Sequence, residues 1–237
     1  MFRRLTADEI DCRISTVNQY GVSLLLFKDA RVDMNILDET FGVLNWKRDH
    51  QLIDGQLFCT VYVWDQEKKE WISKQDVGVE SYTEKEKGRA SDSFKRACFN
   101  LGIGRELYTA PQMFVFKKDL KTLTESNGKW TCRDYFRVTG LEYDAKGNIC
   151  YVRIRNEKTN SDIEFGAPAA AQAEMEAVRD QKIDSVKVKA LLQKCEKDGV
   201  PARKILEAFK VASFEELTMK QYLHILDKWE KIREVTA

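Results

Sequence analysis

Apolar residues near the start of the chain fall into short groups, each about the length of a helical turn or a strand. Thr6 and Glu9 have the spacing of a capping box, which predicts a short helix that runs to about Gln19. The compact apolar run Val22–Phe27 has the length of a strand. The stretch Asp33–Phe41 is then predicted to be helical. The chain therefore begins with a mixture of helix and strand.

The strongest turn signal is Asp54-Gly55, which lies between two apolar pairs. Glycine tolerates the positive φ that a two-residue hairpin turn requires, so two antiparallel strands are predicted here. The second strand alternates between an aliphatic face and an aromatic face, with Leu57, Cys59, Val61 and Val63 on the first and Phe58, Thr60, Tyr62 and Trp64 on the second. The aromatic face is predicted to pack within or between subunits, with base stacking as the alternative. A third strand is predicted from Trp71 to about Val79.

A longer helix is predicted from about Glu86 to Leu101. Its apolar residues cluster on one side at about 100° per residue, at Ala90, Phe94, Ala97, Cys98 and Leu101. This stripe is expected to cover the aliphatic face of the hairpin. Three more strand-like runs follow, Tyr135–Tyr143, Ile149–Asn156 and Asp162–Phe165. Together these elements predict an α+β domain built on an antiparallel sheet.

The strand pattern stops at an alanine-rich stretch after Gly166. We therefore divide the chain into a main domain of residues 1–166, a linker of residues 167–182 and a small helical domain of residues 183–237. Capping patterns and the helix-stopping Gly199 predict three or four short helices in the last part, arranged as a small bundle.

Composition limits the classes of function. The 237 residues carry 39 basic and 38 acidic side chains, so the chain is nearly neutral and any nucleic-acid site must be a local patch. No run of roughly 18 apolar residues occurs and the N-terminus lacks a signal-peptide pattern, so neither membrane insertion nor secretion is expected. The six cysteines and two histidines show no metal-ligand spacing, and no cofactor or metal is expected. No P-loop is present, and neither a nuclease-type carboxylate cluster nor a cysteine beside a histidine is recognisable, so the chain is not expected to be an enzyme.

The predicted helix at 86–101 admits two interpretations. Lys95, Arg96, Arg89 and Asp92 lie off its apolar stripe, and Phe99 falls on the same outer side. The helix could simply present a charged surface with one exposed aromatic ring. Alternatively, this side could be a protomer contact, or a surface where bases stack between cations.

A sequence resemblance bears on this choice. The segments Asp76–Ser81, Glu86–Ala97 and Leu101–Tyr108 resemble the signature of single-strand DNA annealing proteins of the Rad-fifty-two superfamily, in its phage and DdrA-like branch. Upstream, Asp38–Gly42 followed by Asn45-Trp46 resembles the family's junction between a helix and its first core strand. The resemblance is close over residues 20–110, looser over 1–19 and 111–166, and does not extend to the helical domain.

The resemblance implies a curved antiparallel sheet with a β-β-β-α core, packed on helices. It also implies a homo-oligomer, a ring or curved filament, that binds single-stranded DNA and anneals complementary strands without ATP. The family's Lys-Arg pair falls on Lys95 and Arg96, and an earlier basic position falls on Lys87. Approximate counterparts of another basic position are Lys28 and Arg31. Phe99 stands where eukaryotic members carry a basic residue, and the connection before the helix is shorter than theirs.

The complete candidate DNA-binding set is Lys95, Arg96, Lys87, Arg89, Arg105, Lys28, Arg31, Lys47 and Arg48. The expected role is homologous recombination and DNA repair, as a phage recombinase in the cytoplasm of a bacterial host cell. By analogy with other annealing proteins, residues 183–237 are expected to dock an exonuclease or the host single-strand-binding protein. Two alternatives stay open: protection of DNA ends without annealing, and an adaptor that acts through the helical domain.

Overall fold

The structure, a computed structural model, describes residues 2–79 and 85–236, with side chains described at 2–79 and 88–234. The chain separates into two compact units, Met1–Ala169 and Ala170–Ala237, each with its own apolar core. The first unit packs helices against an antiparallel sheet that is curved and nearly barrel-like. The predicted α+β class with a curved antiparallel sheet is therefore confirmed.

The first unit contains eleven described strands and two helices before residue 169. In chain order these are β1 (Asp11–Asn18), β2 (Gly21–Phe27), α1 (Ala30–Phe41), β3 (Trp46–Ile53), β4 (Gln56–Asp65), β5 (Glu70–Val77), α2 (Lys85–Leu101), β6 (Phe114–Phe116), β7 (Thr124–Ser126), β8 (Lys129–Thr131), β9 (Phe136–Tyr143), β10 (Ile149–Asn156) and β11 (Ser161–Gly166). The short strands β6, β7 and β8 lie in a region that the sequence pattern leaves without strands.

The strands form three antiparallel groups. Six of them make a sheet in the order β11-β10-β9-β1-β2-β6, three make a sheet in the order β3-β4-β5, and β7 pairs with β8. Within the large sheet, β1 and β9 are in register at a single pair, Asp11 with Arg137. A cleft of about 440 Å³ opens beside this junction, lined by Ile10, Cys12 and Val138 among others.

The β3-β4-β5 sheet and α2 form the predicted β-β-β-α unit. Both residues of the Asp54-Gly55 turn have positive φ, 49° and 76°, as a type I′ hairpin requires. The aliphatic face of β4 is buried and joins the apolar stripe of α2 in one core, with Phe94 fully buried. Trp46 stacks on Phe94 with ring centroids 6.1 Å apart. This packing fixes which side of α2 remains available to solvent.

The predicted helix from Thr6 to Gln19 is wrong. Glu9 does accept a hydrogen bond from the Thr6 backbone N–H at 2.9 Å, but the helical segment is one 3-10 turn, Ala7–Glu9. Residues 11–18 then form β1, which pairs with β2 along most of its length. A capping pattern specifies only the first turn, and pairing with an apolar strand determines the structure of the residues after that turn.

The second unit is helical. It contains α3 (Ala169–Asp180), which begins at the unit boundary, followed by α4 (Ser185–Asp198), α5 (Ala202–Phe209), α6 (Met219–Asp227) and α7 (Trp229–Thr236). The alanine-rich stretch thus forms a helix, and none of its side chains is buried. The other helices share a separate core that includes Leu191, Leu217, Ile225 and Trp229.

Candidate nucleic-acid interface

The outer side of α2 carries several of the predicted DNA-binding residues. With Phe94, Ala97 and Cys98 buried, Arg96 is exposed and Lys95 is half-buried, close enough to α1 for its charge to act on the buried Asp33. Arg89 is half-buried one to two turns earlier, and one of its nitrogens lies 3.5 Å from the Gly55 carbonyl oxygen. The Lys87 backbone belongs to α2, but its side chain lies outside the described residues.

Arg31 pairs with the Asp29 carboxylate, whose pKa also responds to the charge of Lys95. Asp29 caps α1 by accepting from the Arg31 backbone N–H, and it also pairs with the Arg31 guanidinium at 2.8 Å. The Arg31 side chain lowers the pKa of Asp29 most, followed by the Arg31 N–H, and the Lys95 ammonium lowers it further. Arg31 is 82% exposed. The charges of Arg31 and Lys95, 64 positions apart in sequence, thus both act on Asp29.

Arg96 is also held by a carboxylate. Its Nε lies 3.2 Å from Asp76 Oδ1 at the end of β5, and Asn100 Nδ2 donates to Asp76 Oδ2 at 3.1 Å. The Arg96 side chain is 47% exposed and that of Asp76 is 22% exposed, so the pair is screened by salt and contributes little to stability. Asp76 therefore orients the guanidinium, whose remaining N–H groups are available to a phosphate.

Lys28 does not belong to this surface, which corrects the prediction for that residue. Its side chain is only 6% exposed and pairs with Asp33, which is fully buried. Burial raises the pKa of Asp33 to about 6 despite the attraction of Lys28. A buried lysine held by a buried carboxylate cannot reach a phosphate, so Lys28 stabilises the junction between β2 and α1.

Arg105 and Phe99 form a cluster at the end of α2. Arg105 donates to the Phe99 and Asn100 carbonyl oxygens at 2.8 and 2.9 Å, at the C-terminal end of the helix, where the Phe99 oxygen also accepts from the Gly102 N–H at 3.0 Å. Its guanidinium lies 5.6 Å from the Phe99 ring centroid, and Tyr108 contacts the same ring edge-on at 5.1 Å. Phe99 is thus part of an aromatic group whose outer member, Tyr108, is 83% exposed.

Lys47 and Arg48 are adjacent in sequence but lie on opposite faces of the three-stranded sheet. Arg48 faces α2, with its guanidinium 4.5 Å from the Phe94 ring centroid. Lys47 faces the aromatic side, where its ammonium lies 4.6 Å from the Trp71 ring and 5.3 Å from Tyr62. Only Arg48 therefore shares a face with α2.

The chain matches no protein-family model, no curated protein and no solved structure. Function is therefore inferred from the residues and their surroundings.

The described residues bear on three kinds of chemistry: metal binding, thiol reactivity and membrane insertion. Among the described residues, no group of three or more His, Cys, Asp or Glu is arranged to hold a metal ion. Burial raises the pKa of the Cys59 thiol to about 11 and that of Cys98 further, so both are protonated near neutral pH. None of the described helices has the length and apolarity that crossing a bilayer requires.

The sequence pattern did not indicate the carboxylates that organise the cations. Asp29 precedes α1 with the spacing of an N-cap residue, which is a recognisable signal for its structural role. Asp76 gives no comparable signal, because its contact with Arg96 depends on how β5 packs against α2.

Proposed function

We propose that the protein binds single-stranded DNA and anneals complementary strands without ATP, acting as a homo-oligomer in phage-type recombination and repair in a bacterial cell. The observation that carries the proposal is the exposed Arg96 beside Lys95 on α2, together with the exposed Arg31 on α1, which pairs with an Asp29 carboxylate that the Lys95 charge also influences. The resemblance of the α2 segment to annealing proteins supports the same choice of ligand.

The chemistry of these residues suits backbone recognition. Arginine and lysine bind phosphate oxygens without reading bases, and bases must stay free if two strands are to pair. A chain with net charge +1 can still form a continuous positive groove when several protomers each contribute a few cations. Oligomerisation is part of the proposal for this reason.

The test is a stopped-flow annealing rate for two complementary oligonucleotides that do not fold on themselves, with no nucleotide present. The variant Lys95→Ala/Arg96→Ala is compared with wild type. The matched control is Arg203→Ala/Lys204→Ala, which removes an exposed Arg-Lys pair from α5 in the other unit. We expect the wild type and the control to accelerate annealing and the Lys95/Arg96 variant to lose the acceleration.

The same proteins are titrated with labelled oligothymidylate at several salt concentrations. Loss of two phosphate contacts should reduce the slope of log K against log salt by about 1.4, similarly for all sequences. Unchanged affinity and slope would remove Lys95 and Arg96 from the site. Tight binding without annealing would favour end protection, and no binding at all would favour an adaptor role for the helical unit.

A further inference from the structure

A second concentration of positive charge lies after α2, in residues 116–133. It contains five basic residues against the two acidic residues Asp119 and Glu125, within a chain of net charge +1. All five basic side chains are exposed, and none is ion-paired with a carboxylate of the described residues: Lys117, Lys118, Lys121, Lys129 and Arg133. This part of the surface is therefore locally cationic and is not neutralised by the carboxylates that the structure describes.

The segment is firmly attached to the core, so its lysines are held outward. Leu120 and Leu123 are half-buried against the main apolar cluster. Asp134 is buried and accepts from the Lys121 and Thr122 backbone N–H groups, each at 2.9 Å, and from the Thr122 hydroxyl. Its carboxylate is occupied by these donors and by Asn156 Nδ2 at 2.7 Å. Asp134 thus fixes the backbone without pairing with a lysine side chain.

Aromatic rings lie among these cations. The Lys117 ammonium is 5.4 Å from the centroid of the Trp130 ring in β8. This contact links the short helical turn Lys117–Asp119 to the β7-β8 hairpin. Phe116 is 58% exposed at the end of the edge strand β6 and contacts Phe114 edge-on at 5.1 Å. Lys129 lies on the other face of the hairpin from Trp130, because successive residues of a strand alternate.

We propose that Phe116, Lys117, Lys118, Lys121 and Trp130 form a second contact for single-stranded nucleic acid, here named the hairpin surface. The lysines bind phosphates, Phe116 stacks on a base and Trp130 positions Lys117. Cations interleaved with the exposed Phe116 ring and the half-buried Trp130 ring suit a polymer that has both phosphates and bases. The inference rests on the proposed function for its ligand class, but it involves none of the residues on α2.

The first test measures anisotropy of a fluorescein-labelled oligothymidylate of about 30 nucleotides with Lys117→Gln/Lys118→Gln. The matched control is Lys68→Gln/Lys69→Gln, an adjacent pair of exposed lysines in the turn between β4 and β5. We expect the salt slope to fall by about 1.4 in the first variant and to stay at the wild-type value in the control. A slope unchanged in both variants overturns the proposal.

The second test separates base stacking from attraction of any polyanion. Phe116→Ala is expected to weaken oligothymidylate binding roughly 5-fold or more, because stacking on an aromatic ring contributes about 1–3 kcal/mol per base. Phe116→Tyr should retain the wild-type affinity. Two results together would overturn the nucleic-acid assignment in favour of an acidic protein partner. Phe116→Ala would bind oligothymidylate as tightly as wild type, and polyglutamate would displace the oligonucleotide at an equal concentration of negative charge.

The two proposals fail in different ways. If Lys95→Ala/Arg96→Ala loses binding while Lys117→Gln/Lys118→Gln keeps both affinity and slope, the hairpin surface is wrong and the proposed function stands. If only the Lys117/Lys118 variant loses binding, the hairpin surface stands and α2 does not bind the strand. If the wild type does not bind oligothymidylate, both proposals fail. Circular dichroism and thermal unfolding verify that each variant is folded.

Discussion

The ion pair between Lys28 and Asp33 gives a quantitative prediction for stability. Both side chains are removed from water, at 6% and 0% exposure, and they join the end of β2 to α1. The substitution Lys28→Met keeps most of the aliphatic stem and removes the charge. It leaves the Asp33 carboxylate buried without its cation, which is a more costly state than replacing the whole pair by apolar groups.

The magnitude follows from that uncompensated charge. Breaking one partner of a buried pair costs about 3–5 kcal/mol in the free energy of unfolding. In a unit that spans Met1–Ala169, each 1 kcal/mol moves Tm by roughly 2–4 °C, so Tm should fall by roughly 6–20 °C. The double variant Lys28→Met/Asp33→Leu removes both charges and should lie within about 2 kcal/mol of wild type.

The cost should also depend on pH. Burial raises the pKa of Asp33 to about 6, against 3.8 in an unfolded chain. A carboxyl whose pKa is raised on folding favours the folded state most below pH 3.8, and this contribution is lost as the pH rises to about 6. Without Lys28 the pKa of Asp33 rises further. Lys28→Met should therefore be less destabilising at pH 5, where Asp33 takes up a proton, than at pH 8.

Urea unfolding followed by far-UV circular dichroism measures these differences at both pH values. Arg31→Met is the control, because Arg31 forms an exposed ion pair with the neighbouring Asp29 and should unfold like wild type. The reasoning is refuted if Lys28→Met is no more destabilising than Arg31→Met. It is also refuted if the cost of Lys28→Met is the same at pH 5 and pH 8.

Three further predictions concern other parts of the first unit. Gly104→Ala should be more destabilising than Gly55→Ala in urea unfolding. Both glycines have positive φ. A Cβ at position 104 would meet the Lys28 side chain at 2.4 Å, whereas a Cβ at position 55 would have no atom within 4 Å. An equal cost for the two would contradict this contact. Arg3 lowers the pKa of Glu9 to about 2 from 4.5, so Glu9→Gln should lower Tm at pH 7 and change it little near pH 2. Phe94→Ala should cost about 3–5 kcal/mol in the same unfolding assay, because the ring is fully buried, and a cost below about 1 kcal/mol would contradict its place in the core.

Local patterns were sufficient for the elements whose neighbours are close in sequence. Each of three patterns specifies an element that packs against a neighbour close in sequence. These patterns are the Asp54-Gly55 turn, the alternation of β4 and the apolar stripe of α2. The error at Thr6–Gln19 has the opposite origin. There the pairing of β1 with β2 outweighs a signal that extends over one helical turn.

The candidate site shows a similar division. The exposed side of α2 could be predicted for Lys95 and Arg96, because helix periodicity identifies the buried side. The burial of Lys28 could not be predicted, since lysine is exposed in most sequence contexts and its partner lies on the following helix. The influence of Lys95 on Asp29 depends on how α1 and α2 pack, which no local pattern specifies.

The single register pair between β1 and β9 has a mechanical consequence for the large sheet. Along the other long strands, ladders of several residue pairs resist bending, but Asp11 and Arg137 are the one registered pair at this junction. Backbone pairing therefore offers the least resistance to bending of the six-stranded sheet between β9 and β1. A change in curvature there would turn the β9-β10-β11 group against the β1-β2-β6 group without breaking a full ladder of hydrogen bonds.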